Sequence, residues 1–354
     1  MKVSTLLVGF GNIGQNLARV LLRDSEYLRR TFDLEILVVG AVETDSRGEF
    51  HSAFSPDGLD LNTLLKTRSE TKVISSYPSA GGHFTSEHMI RESGAQLMLE
   101  STPTNLQSGQ PGLSHLKSAI EAGMSIVTSN KGPLLFALKE LRREAADRGV
   151  GFGYSAAVAG ALPIIPTAYY SLAGCRVRSI EGILNGTCNY ILTQMTQTGA
   201  TLEEALAEAK QMGIAETDPT LDIRGYDTAF KLLVAANSIM DADKKITDVE
   251  VSGIEHITRD TIQEAGAKHR ALKLIGRARK VKDDLEMAVG VQEVGPDHPF
   301  YSVNGIWKSV LFDTELLGEV LLLGGKSNPQ LAAGAMVRDI INLIQREQLG
   351  SKAG

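Results

Sequence analysis

The chain opens with an apolar run, residues 3–8, that stops at Gly9-Phe10-Gly11-Asn12-Ile13-Gly14 and resumes as the helical pattern QNLARVLLRDSEYL. Strand, GxGxxG turn and helix in that order leave few folds open, because the helix must return close over the strand it follows. Gly9 suits the tight turn, Gly11 lets a pyrophosphate approach the backbone, and Gly14 lets helix and strand pack closely. The first helical turn, entered through Asn12 and Ile13, offers N–H donors and the positive end of the helix dipole to phosphate. A dinucleotide-binding α/β unit is expected, with residues 9–14 at the cofactor. A glycine-rich turn without a ligand is the alternative the motif leaves standing.

The next segments extend that reading. Residues 35–42, EILVVGAV, read as a second buried strand and lead into Glu43, Asp45 and Arg47. An acid at this place favours the ribose hydroxyls of NAD, whereas an arginine favours the 2′-phosphate of NADP. The chain offers both, and Arg47 tilts the expectation towards NADP. Residues 51–70 read as a loop followed by a short helix. A third strand, residues 95–100, ends in the polar turn Ser101-Thr102-Pro103-Thr104-Asn105, and a fourth, residues 124–128, ends in Ser129-Asn130-Lys131. Loops at the carboxyl ends of parallel strands are where such sheets bind ligands. Lys131 is thus either a cleft residue or a solvated one. His115 falls in a helical pattern and has no assigned chemistry.

A length of 354 residues suggests two domains, residues 1–150 for the dinucleotide and residues 151–330 for a second unit. A last helical pattern, residues 331–354, is expected to fold back onto the first. The formal charge of −6 argues against nucleic acid as a partner. Cys175 and Cys188 make neither a disulfide framework nor a CxxC pair. The first apolar run is too short for a signal peptide or a membrane span. A cytoplasmic protein with a small-molecule substrate and no membrane contact is expected. Residues 175–185 alternate as a strand does, Gly186-Thr187-Cys188-Asn189 opens a helix, and residues 201–212 form an amphipathic helix with an acidic first turn. The basic stretch 268–280 reads as a solvated helix face, with an anion site as the alternative, and residues 284–292 and 306–311 as strands.

Residues 213–231, GIAETDPTLDIRGYDTAFK, carry four carboxylates (Glu216, Asp218, Asp222, Asp227) against two cations, Arg224 and Lys231. Pro219 and Gly225 break any continuous helix, and an apolar helical pattern starts at Tyr226. Asp227 and Lys231 lie four apart, so both project from one helix face. The pair is either a surface ion pair or a proton-transfer site at the mouth of an acidic loop.

Several spaced blocks together resemble homoserine dehydrogenase: GFGNIG at the start, STPTN at 101–105, TSNKGPL at 128–134, ILNGTCNYIL at 183–192, and the acidic stretch 213–231. The resemblance implies a Rossmann-type domain followed by an α+β catalytic and dimerisation domain with a mixed sheet. It implies a homodimer and the NAD(P)H-dependent, reversible reduction of L-aspartate 4-semialdehyde to L-homoserine. By the same resemblance, Lys231 and Lys131 are active-site lysines, Lys231 the proton donor, and Asp227 holds the reacting end of the substrate. Glu216 and Asp222 take the ammonium, with Asn185, Gly186 and Thr187 beside them. Ser101, Thr102, Pro103 and Asn130 line the cofactor. A monovalent cation, sodium or potassium, is implied on the carbonyls of Val158 and Gly160.

Three departures stand out. Ser155 occupies the place of a glutamate that serves the cation, which removes a hard anionic ligand. GGKSNPQ at 324–330 replaces a more glycine-rich loop over the cofactor, and Cys188 stands where threonine is common. Competing readings are another two-domain NAD(P) oxidoreductase on an amino-acid-derived carbonyl and a non-catalytic NAD(P)-binding paralogue. An aldehyde dehydrogenase with a cysteine nucleophile is disfavoured, since neither cysteine has a base in its sequence signature.

Overall fold

The first sheet grows outward from the N-terminal strand. A computed structural model describes residues 1–351 apart from Ser79, Asp283, Lys326 and Ser327, with side chains in the last helix described as far as Gln345. It divides into two units, Met1–Ala157 with Asn328–Gly354, and Val158–Ser327.

In the first unit the chain runs β1 (Lys2–Val8), α1 (Asn12–Phe32), β2 (Glu35–Thr44), β3 (Phe50–Phe54), α2 (Leu61–Thr71), β4 (Gly81–Gly82), α3 (Ser86–Glu92), β5 (Leu97–Glu100), α4 (Gly112–Glu121), β6 (Ser125–Thr128), α5 (Lys131–Asp147) and β7 (Phe152–Gly153). The sheet order is β4-β3-β2-β1-β5-β6-β7, with β2, β1, β5, β6 and β7 parallel. The period of two along β1 sends Val3 and Leu7 into one apolar core and Leu6 and Val8 into another on the opposite face. Residues of α1 and of the C-terminal helix α12 (Pro329–Ser351) fill the first core; α3, α4 and α5 cover the second. The connections leave β1 in opposite directions, to β2 on one side and β5 on the other. That makes the carboxyl ends of β1 and β5 the switch point where such a sheet binds its ligand. Within residues 51–70 the structure departs from the expected loop. Residues 50–54 form strand β3, antiparallel to β2, and bury His51, Ser52 and Ala53.

The second unit contains the helical turn α6 (Ile164–Pro166), β8 (Val177–Ile183), α7 (Gly186–Thr198), α8 (Leu202–Gln211), the short α9 (Thr220–Ile223), α10 (Tyr226–Ile239), β9 (Val249–Val251), α11 (Arg259–Ala267), β10 (Ala271–Val281), β11 (Asp284–Val294), β12 (Lys308–Thr314) and β13 (Gly318–Gly324). Its sheet, ordered β13-β12-β8-β10-β11-β9, is antiparallel except for the β11–β9 pair. Helix α10 lies on it, and Gly276 of β10 permits the approach. A Cβ there would stand 3.1 Å from Thr228 Cγ2 and 3.5 Å from Leu232 Cδ2. The basic stretch 268–280 is therefore not a solvated helix face. Its alternating Leu272, Leu274 and Ala278 pack inward along a central strand, and even Lys273 is buried. The α/β first unit and mixed-sheet second unit give the fold class expected from the sequence.

Candidate active site

In the first unit the GxGxxG turn is built by close approach. Gly9 has φ +92°, and a Cβ on it would lie 2.7 Å from the Ser101 carbonyl carbon. A Cβ on Gly14 would lie 2.2 Å from Gly9 O, so neither position accepts a side chain. Gly11, by contrast, faces open space and caps α1 without a side-chain hydrogen bond. Space above an uncapped helix N-terminus fits a pyrophosphate. Asn12 is exposed and Ile13 half-buried at the first turn, while the Phe10 side chain is fully buried in the apolar core.

The ends of β1, β5 and β6 are tied together by side chains. Ser101 Oγ donates to Gly9 O at 2.9 Å. Glu100, wholly buried, accepts from Thr102 N at 3.0 Å, from the Thr102 hydroxyl, from Thr128 Oγ1 at 2.6 Å and from Asn130 Nδ2 at 3.4 Å. Asn130 caps α5 through Gly132 N at 3.0 Å, which fixes Lys131 as the first helical residue, half-buried. Pro103 is exposed beside Thr102. Glu100 is the residue the sequence reading missed; its signal was a carboxylate closing an apolar strand just before a polar turn.

The acids after β2 divide their work. Glu43 is buried; burial pushes its carboxyl up, and Arg68 at 2.8 Å and Ile74 N at 3.1 Å hold it in the fold rather than towards a ribose. Arg47 is exposed but engaged. Its guanidinium donates to Asp45 at 3.0 and 2.9 Å and to Glu49 at 2.9 Å. The arginine that tilted the expectation towards NADP thus carries two carboxylates. His115, expected on a helix face, is buried, and burial lowers its pKa.

In the second unit the centre is Asn185. It caps α7, its Oδ1 accepting from Cys188 N at 2.8 Å, and its Nδ2 donates to both Asp222 Oδ1 (2.5 Å) and Asp227 Oδ2 (2.8 Å). Lys231 Nζ donates to Asp227 Oδ2 and to Leu184 O at 3.0 Å. Lys231 and Asp227 are 12 and 13% exposed, so this is a part-buried pair rather than a solvated one. Burial raises the Asp222 carboxyl above the usual range, the charges of Asp227 and Glu216 push the same way, and the Asn185 bond and Lys231 offset part of the shift. Thr187 Oγ1 donates to Ile214 O at 3.2 Å, which ties the start of α7 to the acidic stretch. Gly186 leaves room at that helix start: a Cβ there would meet Ile306 O at 3.0 Å.

Glu216 is exposed at the rim. Asp218 has a structural task, its Oδ1 accepting from Thr220 N and Oγ1 to start α9. Cys188 is buried, burial pushes its thiol well up, and Sγ donates to Asp222 O at 3.0 Å. A neutral buried thiol is no nucleophile.

At the implied cation position, the described contact on the 158–160 turn is an ammonium: Lys308 Nζ donates to Ala159 O at 2.8 Å. Ser155 donates to Asp339 Oδ1 at 2.5 Å. Lys326 and Ser327 of the 324–330 loop lie outside the described residues.

The family model for homoserine dehydrogenase matches residues 163–341. A homoserine dehydrogenase of Methanocaldococcus jannaschii is 42% identical over 338 residues, 96% of this chain and 97% of that one. The chain belongs to the homoserine dehydrogenase family. It is thereby an NAD(P)-dependent oxidoreductase acting on a CH–OH group. An NAD(+)-dependent homoserine dehydrogenase of Pseudomonas canavaninivorans is 32% identical, covering 96% of this chain and 95% of its own. The crystal structure of a putative homoserine dehydrogenase from Archaeoglobus fulgidus matches with a TM-score of 0.85 at 30% identity, covering 96% of this chain and 99% of that one. In such an enzyme the open space over Gly11 fits a dinucleotide. No helix among the described residues is long and apolar enough to cross a membrane.

Proposed function

We propose that the chain interconverts L-homoserine and L-aspartate 4-semialdehyde through the Asn185–Asp222–Asp227–Lys231 cluster, the step that serves threonine, methionine and isoleucine synthesis. The observation that carries this is the Lys231 ammonium held between Asp227 and the Leu184 carbonyl. When bound at residues 9–14, with Ser101, Thr102, Pro103 and Asn130 alongside, NAD(P) supplies or accepts the hydride. An aldehyde that gains hydride develops alkoxide charge, which needs a proton donor within hydrogen-bond reach. Lys231 is that donor, and Asp227 aims it. Asp222 and Glu216 take the substrate ammonium, with Asn185, Gly186 and Thr187 lining that end. Lys131, first in α5, is the second active-site cation. With Arg47 neutralised by Asp45 and Glu49, we infer that NAD is favoured over NADP.

The test adds L-homoserine with NAD or NADP to the purified enzyme and follows reduced nicotinamide by absorbance. Turnover is expected, with a loss of roughly 10²–10⁴ in Lys231→Ala. No turnover with either cofactor, or an unimpaired variant, overturns the assignment. We further infer a cytoplasmic location, and a homodimer joined through the second unit, the latter because Leu321 and Leu323 are exposed along β13 at the sheet edge. A monomer mass by light scattering, or recovery outside the cytoplasmic fraction, would remove the corresponding half of that reading.

A further inference from the structure

Lys308 is 1% exposed, and its ammonium reaches the carbonyl of Ala159 at 2.8 Å. An ammonium so deeply buried is costly unless acceptors surround it, so the site that receives it is under strong constraint. That site is a shaped piece of backbone. Ala159 and Gly160 follow one another in the left-handed region, at φ +66° and +61°. Alanine adopts that conformation only where its surroundings enforce it. Val158 and Ala159 are both buried.

The lysine is aimed by the sheet. Lys308 opens β12 and pairs in register with Gly324, the last residue of β13. The next residue, Gly325, lies against Leu162, where a Cβ would stand 2.8 Å from Leu162 Cβ and 2.9 Å from Leu162 N. The β12–β13 pair therefore delivers the ammonium and also brings Gly325 against Leu162 of the same turn.

Against this arrangement, a sodium or potassium ion on the Val158 and Gly160 carbonyls does not fit. Neighbouring carbonyls lie within about 5 Å of Ala159 O, the reach of one peptide unit. An ion on those carbonyls would lie within about 10 Å of the Lys308 ammonium, where at an effective dielectric of about 20 the repulsion weakens its binding roughly tenfold or more. Position 155 supplies no compensating carboxylate. The Ser155 hydroxyl donates to Asp339 and accepts from Arg338 at 2.9 Å, both within the first unit.

We propose that the Lys308 ammonium is the resident cation of the 158–162 turn, so that this enzyme holds that backbone without sodium or potassium. The inference concerns folding of the second unit and stands apart from the substrate assignment.

Thermal melting of the free enzyme in potassium, sodium or choline chloride at matched ionic strength tests it. The wild-type midpoint is expected to agree within about 1 °C across the three salts, since a ligand bound only by the folded state would raise it. Lys308→Gln keeps a hydrogen-bond donor and removes the charge. It is expected to melt lower, and to recover saturably with potassium or sodium but not with choline. A saturable wild-type response to either metal ion overturns the proposal. So does a Lys308→Gln protein that is as stable as wild type, or one that is destabilised yet indifferent to the cation. Should the variant not fold, the wild-type titration alone still decides.

Discussion

Replacing Asp222 by asparagine should stabilise the protein while damaging its proposed activity. Asp222 and Asp227 share a single donor, Asn185 Nδ2, at 2.5 and 2.8 Å, so their carboxylates lie within about 5 Å of each other. Two such charges at an effective dielectric of about 20 repel by about 3 kcal/mol, and Lys231 beside Asp227 cancels roughly half. Asp222→Asn should therefore gain about 1–2 kcal/mol, which for a unit of this size raises the melting midpoint by roughly 3–6 °C. The pH dependence has a definite sign. Burial first, and Asp227 next, hold the Asp222 pKa above its unfolded value of 3.8. The protonated folded form is thus favoured, and the stability it contributes is fully present below 3.8 and lost as pH rises through the raised folded value. Wild type and variant should melt together in acid and diverge across that window, the variant staying higher at neutral pH. In steady-state kinetics the KM for L-homoserine should rise roughly 10- to 150-fold, the worth of one charge-assisted bond to an ammonium. A variant less stable than wild type at neutral pH, or one with an unchanged KM, would refute the argument.

Two further expectations follow from charges that the sequence left ambiguous. Removing both carboxylates from Arg47, as Asp45→Ala with Glu49→Ala, should free the guanidinium for a 2′-phosphate and improve kcat/KM with NADP relative to NAD by about tenfold or more; an unmoved ratio would detach Arg47 from cofactor choice. Burial pushes Lys273 down to about 8, so between pH 8 and the unfolded value of 10.5 the unfolded chain binds the extra proton and wild-type stability rises by up to about 3 kcal/mol. Denaturant melts across that range should show the rise in wild type and its absence in Lys273→Met, and equal slopes for the two would refute the assignment.

Local pattern carried what lies close in the chain. The β1–turn–α1 unit and the i,i+4 spacing of Asp227 and Lys231 are visible because helix and strand periods act over a few residues. The partners that turn that spacing into a site are remote. Asn185 is 42 residues from Asp227, and the Leu184 carbonyl is 47 residues from Lys231. Block resemblance supplied the Asn185 side of the cluster; periodicity did not. The basic stretch 268–280 misled for a related reason. Lysine and arginine signal solvent on average, yet Lys273 is buried because Asn304 Oδ1 at 2.8 Å and the Val303 carbonyl accept from it. Acceptors 30 residues away leave no trace in the composition of a window. Lys308, 149 residues from Ala159, is the extreme case.

Glu100 of the first unit and Asp222 of the second differ in how far their acceptor positions are used. An ionised carboxylate offers about four acceptor positions. Glu100, wholly buried, accepts from Thr102 N, the Thr102 and Thr128 hydroxyls and Asn130 Nδ2, all from the strand ends it ties together. Three of these bonds fall on Oε1 and one on Oε2, so the carboxylate holds Thr102 and Asn130 where they are. Asp222 is the opposite case. Its described side-chain hydrogen bond is the one from Asn185, it faces the charge of Asp227, and burial disfavours its ionised form. A fold that needed only a stable corner there would be better served by a neutral side chain. A carboxylate kept part-buried with acceptor positions open is suited to a cation that arrives, and an ammonium-bearing substrate supplies three donors to fill them. On the proposed binding of the substrate ammonium, the cost carried by the free enzyme would be relieved, which would make the same residue a liability for stability and the anchor of substrate selection.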